Sequence, residues 1–168
     1  GDSSAVQSQL NNVVNIFSTQ FSFAALKSDG SVVTWGGSPG YGGGDSSSVQ
    51  SQLQSGVIDI ASGFNWFAAL KDDGSVVTWG NTNGYLLNNG TYDLHPTFYQ
   101  VQDQLTSDVV AIFPKYNHPI ASTPQAESGD TFMAIKSDGS LVTWGIVAGR
   151  SSTCICSIQP GPIQLPCS

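Results

Sequence analysis

Apolar and polar residues alternate along this chain in short bursts bounded by turn residues. Phe67-Ala68-Ala69-Leu70 is an apolar run, Lys71-Asp72-Asp73-Gly74 is polar and ends in Asp-Gly, and Ser75-Val76-Val77-Thr78-Trp79 is β-branched and aromatic. An apolar run, an Asp-Gly pair and a β-branched run predict a strand, a turn and a second strand. Glycine takes positive φ without steric cost, and the adjacent Asp can bond back to its own backbone. Nearly the same phrase stands at 23–36 and again at 132–145, with turns at Asp29-Gly30 and Asp138-Gly139. Three hairpins are therefore expected. Helical periodicity is nowhere sustained.

The repeated unit is larger than the hairpin. The phrases end at Trp35, Trp79 and Trp144, spaced by 44 and 65 residues. Before each stands an apolar "V-x-x-I" segment, at 13–16, 57–60 and 109–112, and before that "VQSQL" or "VQDQL" at 6–10, 49–53 and 101–105. A fourth Gln-Leu pair closes the chain at Gln164 and Leu165. The basic period is 43 to 44 residues; the third copy is set back by "NNGTYDLHP" and by "PKYNHPIASTPQAESGD". Repeat 1 is expected at about 1–43, repeat 2 at 44–100, repeat 3 at 101–145 with an inserted loop at 114–130, and a closing segment at 146–168.

A two-stranded hairpin is marginal alone, so each copy needs the "V-x-x-I" strand, with the Gln-Leu segment as a candidate fourth, to complete a sheet. Three or four strands per 44 residues is the economy of a propeller blade. The expected fold is all-β: tandem three- or four-stranded antiparallel blades in a partial or oligomer-completed propeller. Ala68-Ala69 and Ala24-Ala25 suit places where strands crowd; Met133-Ala134 stands there in the third copy.

The order Val57, Ile60, Ala69, Leu70, Asp73, Gly74, Val76, Trp79, Gly80, followed by "NTNGYL", resembles the repeat of the regulator of chromosome condensation family. The resemblance covers nearly all of residues 1–145 in three concordant copies and implies four-stranded blades in a β-propeller. Family propellers close with about seven blades, whereas this chain has material for three, so the family's nucleotide-exchange role, which uses a whole ring, does not carry over. The histidine that often precedes the Ala-Leu strand is also missing, with Phe21 or Ser22 and Asn65 or Trp66 in its place. Function has to come from a site.

Three blades leave two end faces to cover. A six-blade dimer completed by strand addition of the Gln-Leu segment, an open filament, a longer array and a compact threefold body are the arrangements that would do so. The expected partner is the chain itself, as homo-oligomer or filament, or another protein. Starting at Gly1, without a methionine and inside a repeat, the chain is expected to be a processed or excised segment.

Composition narrows the chemistry. Only 10% of residues are charged, against about 25% in a typical domain, and five basic against twelve acidic residues give a net charge of −7. A phosphate backbone would be repelled, so nucleic acid is not an expected partner. No apolar run approaches the roughly 20 residues of a membrane helix, and membrane insertion is not expected. No Gly-Lys-Ser/Thr phosphate loop occurs.

The remaining signals are sparse. Cys154 and Cys156 point to opposite sides of an extended chain, which leaves Cys167 as the disulfide candidate for one of them and one thiol over. A terminal staple is favoured over a metal site with His95 or His118, because the spacing matches no zinc pattern. Such a staple, with the glycosylation candidate Asn89 in Asn-Gly-Thr, implies an extracellular or organelle-lumen location. "GDSS" at 1–4 and 44–47 has the look of a hydrolase nucleophile motif but lacks a paired Asp-x-x-His, and its duplication in a linker favours a turn. No catalytic residue, cofactor or metal ligand is assigned. Tyr92, His95, Phe98, Tyr99, Tyr116 and His118 give the inserts aromatic character and form the candidate binding surface, for a protein first and a glycan second. The expected function is a non-enzymatic structural or protein-interaction repeat module.

Overall fold

The computed structural model describes residues 1–37, 43–80, 85–86, 92–93, 101–116 and 130–145. Each of the three phrases folds as the hairpin its pattern predicts. β1 (Val13–Ser18), β2 (Ser22–Lys27) and β3 (Val32–Gly36) form one antiparallel sheet; β4 (Val57–Ser62), β5 (Trp66–Lys71) and β6 (Val76–Gly80) form the second. After a short β7 (Tyr85–Leu86) and β8 (Tyr92–Asp93) pair, β9 (Val109–Tyr116), β10 (Asp130–Lys136) and β11 (Leu141–Gly145) form the third. These are three propeller-like blades, each with the alanine-bearing strand in the middle. Ala24, Ala68, Ala69 and Ala134 are fully buried there, because a larger side chain would hold the neighbouring blades apart; Ala25 is fully buried as well.

The turns follow one plan. Gly74 N–H donates to the Lys71 carbonyl and Lys71 N–H to the Ser75 carbonyl, with Gly74 at φ +77°. This is a three-residue loop whose left-handed residue forms a bulge, with glycine placed where a β carbon would be strained. The Asp73 carboxylate accepts from both the amide and the hydroxyl of Ser75, at 2.9 and 2.6 Å. The Asp29–Ser31 turn is the same. Register then sets Phe23 opposite Trp35, Phe67 opposite Trp79 and Phe132 opposite Trp144, and all three pairs stack at 5.1 to 5.6 Å between ring centres.

The Gln-Leu segments are not strands. Ser4–Gln9, Ser47–Leu53 and Gln102–Leu105 are 3-10 helices, so each blade has three described strands and none comes from this segment. Val and Leu spaced by four residues fit one face of a helical turn as well as one face of a strand. The competition is decided at the entrance, where Asp45 accepts from the Ser47 amide at 2.9 Å and folds the chain into a turn. Leu53 and Leu105 are then buried between consecutive blades as plugs. The strand-addition route to a dimer loses its donor strand among the described copies; the fourth Gln-Leu pair lies outside the described residues.

Alternation along the strands gives each blade two apolar faces. Phe67, Ala69, Val77 and Trp79 of the second blade pack with Ala24, Leu26 and Val32 of the first. Ala68, Leu70 and Val76, from its other face, pack with Phe132, Ala134, Val142 and Trp144 of the third. Each face is therefore specific to one side of the row.

Candidate functional site

The joint between blades is built from backbone as well as side chains. The Gly30 carbonyl accepts from the Val57 amide at 3.0 Å, and the Gly74 carbonyl accepts from the Val109 amide at 3.0 Å. In both joints the turn glycine of one blade receives the first strand residue of the next. The approach is close: a β carbon at Gly30 would lie 2.8 Å from the Gly56 nitrogen, and at Gly74 2.7 Å from the Asp108 nitrogen. Asn12, Gly56 and Asp108, each just before an edge strand, all take positive φ, which Gly, Asn and Asp tolerate best.

Among the described residues, some positions of this joint are more exposed in the first and third blades than their counterparts are between blades. Ile60 and Ile112, which face the preceding blade, are 3% and 5% exposed, whereas their counterpart Ile16 in the first blade is 56% exposed. At the other end Met133 is 39% exposed where Ala24 and Ala68 are fully buried, and Phe113 is 48% exposed where its counterpart Ala61 is 5%. Ile135 and Leu141 complete that outer face, half-buried. The Gly139 turn likewise lies open, with nothing within 4 Å of an added β carbon. Fully burying side chains of this size is worth about 1.5–3 kcal/mol each, so covering Ile16, Phe113 and Met133 is a source of association energy.

The edge formed by the first strand of each blade is unfavourable for pairing by contrast. Val14, Ile58 and Val110 are the extra residues of a bulge in each edge strand, and they point to solvent. Asn15 and Asp59 turn their side chains onto the next amide, that of Ile16 at 2.9 Å and of Ile60 at 2.8 Å. Bulges and self-satisfied amides both discourage another strand from adding there.

Of the candidate binding residues, Tyr92 lies on β8 and Tyr116 ends β9, which runs through Pro114 on the sheet's edge. His95, Phe98, Tyr99 and His118 lie outside the described residues, as do Cys154, Cys156, Cys167 and Asn89. The turn aspartates Asp29, Asp73 and Asp138 are held below the ordinary carboxylate value of 3.8, first by the hydroxyls and then by the amides of Ser31, Ser75 and Ser140. In "GDSS" the Asp2 carboxylate accepts from the Ser4 amide and hydroxyl, and Asp45 from the Ser47 amide, so both copies are turns that start a 3-10 helix. Ile16, Phe113 and Met133 were not among the sequence candidates. Their signal was present at one of them: Met133 breaks the Ala-Ala rule of the other copies.

No protein-family profile matches the chain, and no curated protein matches it. Among solved structures, a chain in the crystal structure of Kap60 bound to yeast RCC1 (Prp20) is similar, at 19% identity over 80% of this chain and 30% of that one, with a TM-score of 0.47. Human WBSCR16 is similar at 19% identity over 79% of this chain and 33% of that one, with a TM-score of 0.44. This chain thus spans about a third of the length of either. The blade architecture rests on the three sheets and on the joint they repeat.

Proposed function

We propose that this chain is a non-enzymatic protein-interaction repeat module that self-associates through the outer faces of its end blades. The observation that carries this is Ile16: one repeat position is buried in the second and third blades and more than half exposed in the first. Interfaces differ from the rest of a surface in their apolar, charge-depleted centre, and Ile16 on the first blade and Phe113 and Met133 on the third are exposed apolar residues of that kind. The inserted loops, with Tyr92 and Tyr116 at their margins, would add specificity. The cysteines of 146–168 fit an oxidising compartment, where one of them can lock the association covalently.

Light scattering over a range of concentrations, with and without reductant, tests the proposal. Masses rising above 17.6 kDa with concentration are expected. A mass fixed at the monomer value at every concentration would overturn self-association. Loss of the larger species on reduction would place a disulfide between chains.

A further inference from the structure

Each of the three turns holds an Asp-Gly pair, at Asp29-Gly30, Asp73-Gly74 and Asp138-Gly139, and such a pair can react with itself. The glycine amide nitrogen attacks the aspartate side-chain carbon, since no side chain on glycine hinders it. A carbon–nitrogen bond forms, a carboxyl oxygen leaves as water with the amide proton and the carboxyl proton, and a succinimide ring closes. Water then opens the ring; where it breaks the bond from nitrogen to the main-chain carbonyl carbon, an isoaspartate remains. From the turn geometry we infer that Ser31, Ser75 and Ser140 protect the three pairs, and that each pair becomes a site of isoaspartate formation once its serine hydroxyl is removed. The inference stands apart from the association proposed above.

Both reacting groups are held in place. Oδ1 of Asp73 accepts from the Ser75 amide at 2.9 Å and from its hydroxyl at 2.6 Å, and Oδ1 of Asp29 accepts from those of Ser31 at 3.0 and 2.6 Å. Asp138 accepts from the Ser140 amide at 2.8 Å. These contacts hold each carboxylate toward the residue beyond the glycine. The glycine amides meanwhile donate to the Lys27, Lys71 and Lys136 carbonyls at 2.9 to 3.0 Å, so the ring closes only when the turn bond and the serine contacts both open. The serine groups also hold the three carboxyls below the ordinary value of 3.8, and an ionised carboxylate is the poorer electrophile because it has no proton to leave with its oxygen. The joints between blades have no room for the product. Isoaspartate adds a carbon to the main chain of a turn whose glycine carbonyl accepts from the Val57 or Val109 amide at 3.0 Å, and a mere β carbon on Gly74 would lie 2.7 Å from the Asp108 nitrogen.

Ser75→Ala tests the inference, with the Asp29 and Asp138 turns as controls in the same molecule. The folded chain is aged in mildly acidic buffer and digested with trypsin, which cuts after Lys27, Lys71 and Lys136 and puts the three pairs on separate peptides. Chromatography and electron-transfer fragmentation then give the isoaspartate fraction at each. In the unaltered chain all three pairs should convert far more slowly than in the same chain held in denaturant; equal rates would overturn the protection. In Ser75→Ala the Asp73 pair alone should convert several-fold faster, and Ser75→Thr, which keeps both the amide and a hydroxyl, should restore the slow rate. An unchanged rate at Asp73 in Ser75→Ala would show the hydroxyl to be dispensable, and equal acceleration at all three pairs would assign the effect to general loosening of the fold; either overturns the inference, as does a threonine variant as fast as the alanine one. Circular dichroism checks folding. Should Ser75→Ala fail to fold, Ser140→Ala takes its place, in a turn with nothing within 4 Å of a β carbon on its glycine.

Discussion

Gly74 and Gly139 hold the same turn position at φ +77° and +83°, but only the first has another blade against it. Alanine at either site meets the left-handed strain of about 1–2 kcal/mol. At Gly74 the new β carbon also meets the Asp108 backbone at 2.7 Å. Gly74→Ala should therefore lower the midpoint of thermal unfolding clearly more than Gly139→Ala in dilute solution; equal shifts would mean that the joint yields freely. The turn aspartates set the acid response. Asp29, Asp73 and Asp138 bind protons more weakly folded than unfolded, because serine hydroxyls and amides donate to their charged forms. Their contribution is complete above the unfolded value of 3.8 and is lost as pH falls through the lower folded values. Replacing Ser31, Ser75 and Ser140 by alanine should flatten the fall of the melting midpoint as pH drops below the unfolded value of 3.8. The carboxylates are solvent-exposed, so the effect is expected to be small. These turns were legible residue by residue, because Asp-Gly followed by Ser leaves the backbone few alternatives.

A blade element is worth what its neighbours make it. Ile60 is buried against the first blade, so Ile60→Ala removes packed volume and should cost about 2–5 kcal/mol of stability in chemical denaturation. Ile16→Ala, at the equivalent position, should change the stability of the dilute monomer little and weaken association instead. Equal losses at the two sites would place Ile16 in the monomer's core. The strands were readable from sequence because a period of two survives in all three copies, and the "V-x-x-I" segments form the edge strands expected of them. The Gln-Leu segments were not readable in the same way. Their two apolar residues fit a strand and a helical turn alike, and the hydrogen bond from the Ser47 amide to Asp45 resolves the choice only once the chain has turned.

At the scale of the whole molecule, charge and apolar surface pull in opposite directions. Seven net negative charges repel a second copy, while the end faces that would meet present Ile16, Phe113, Met133 and Leu141, none of them charged. Sequence could show three blade repeats, but not which side of each strand would be left exposed, since that depends on register. The balance gives a test of what holds copies together. The screening length shrinks from about 10 Å at 0.1 M salt to about 3 Å at 1 M, so added salt weakens the repulsion and leaves apolar burial intact. The native mass at a fixed concentration should hold or rise as sodium chloride is taken from about 0.05 M to 1 M. A fall in mass over that range would mean that ion pairs carry the joint, and the apolar end faces would then lose their role as the seat of association.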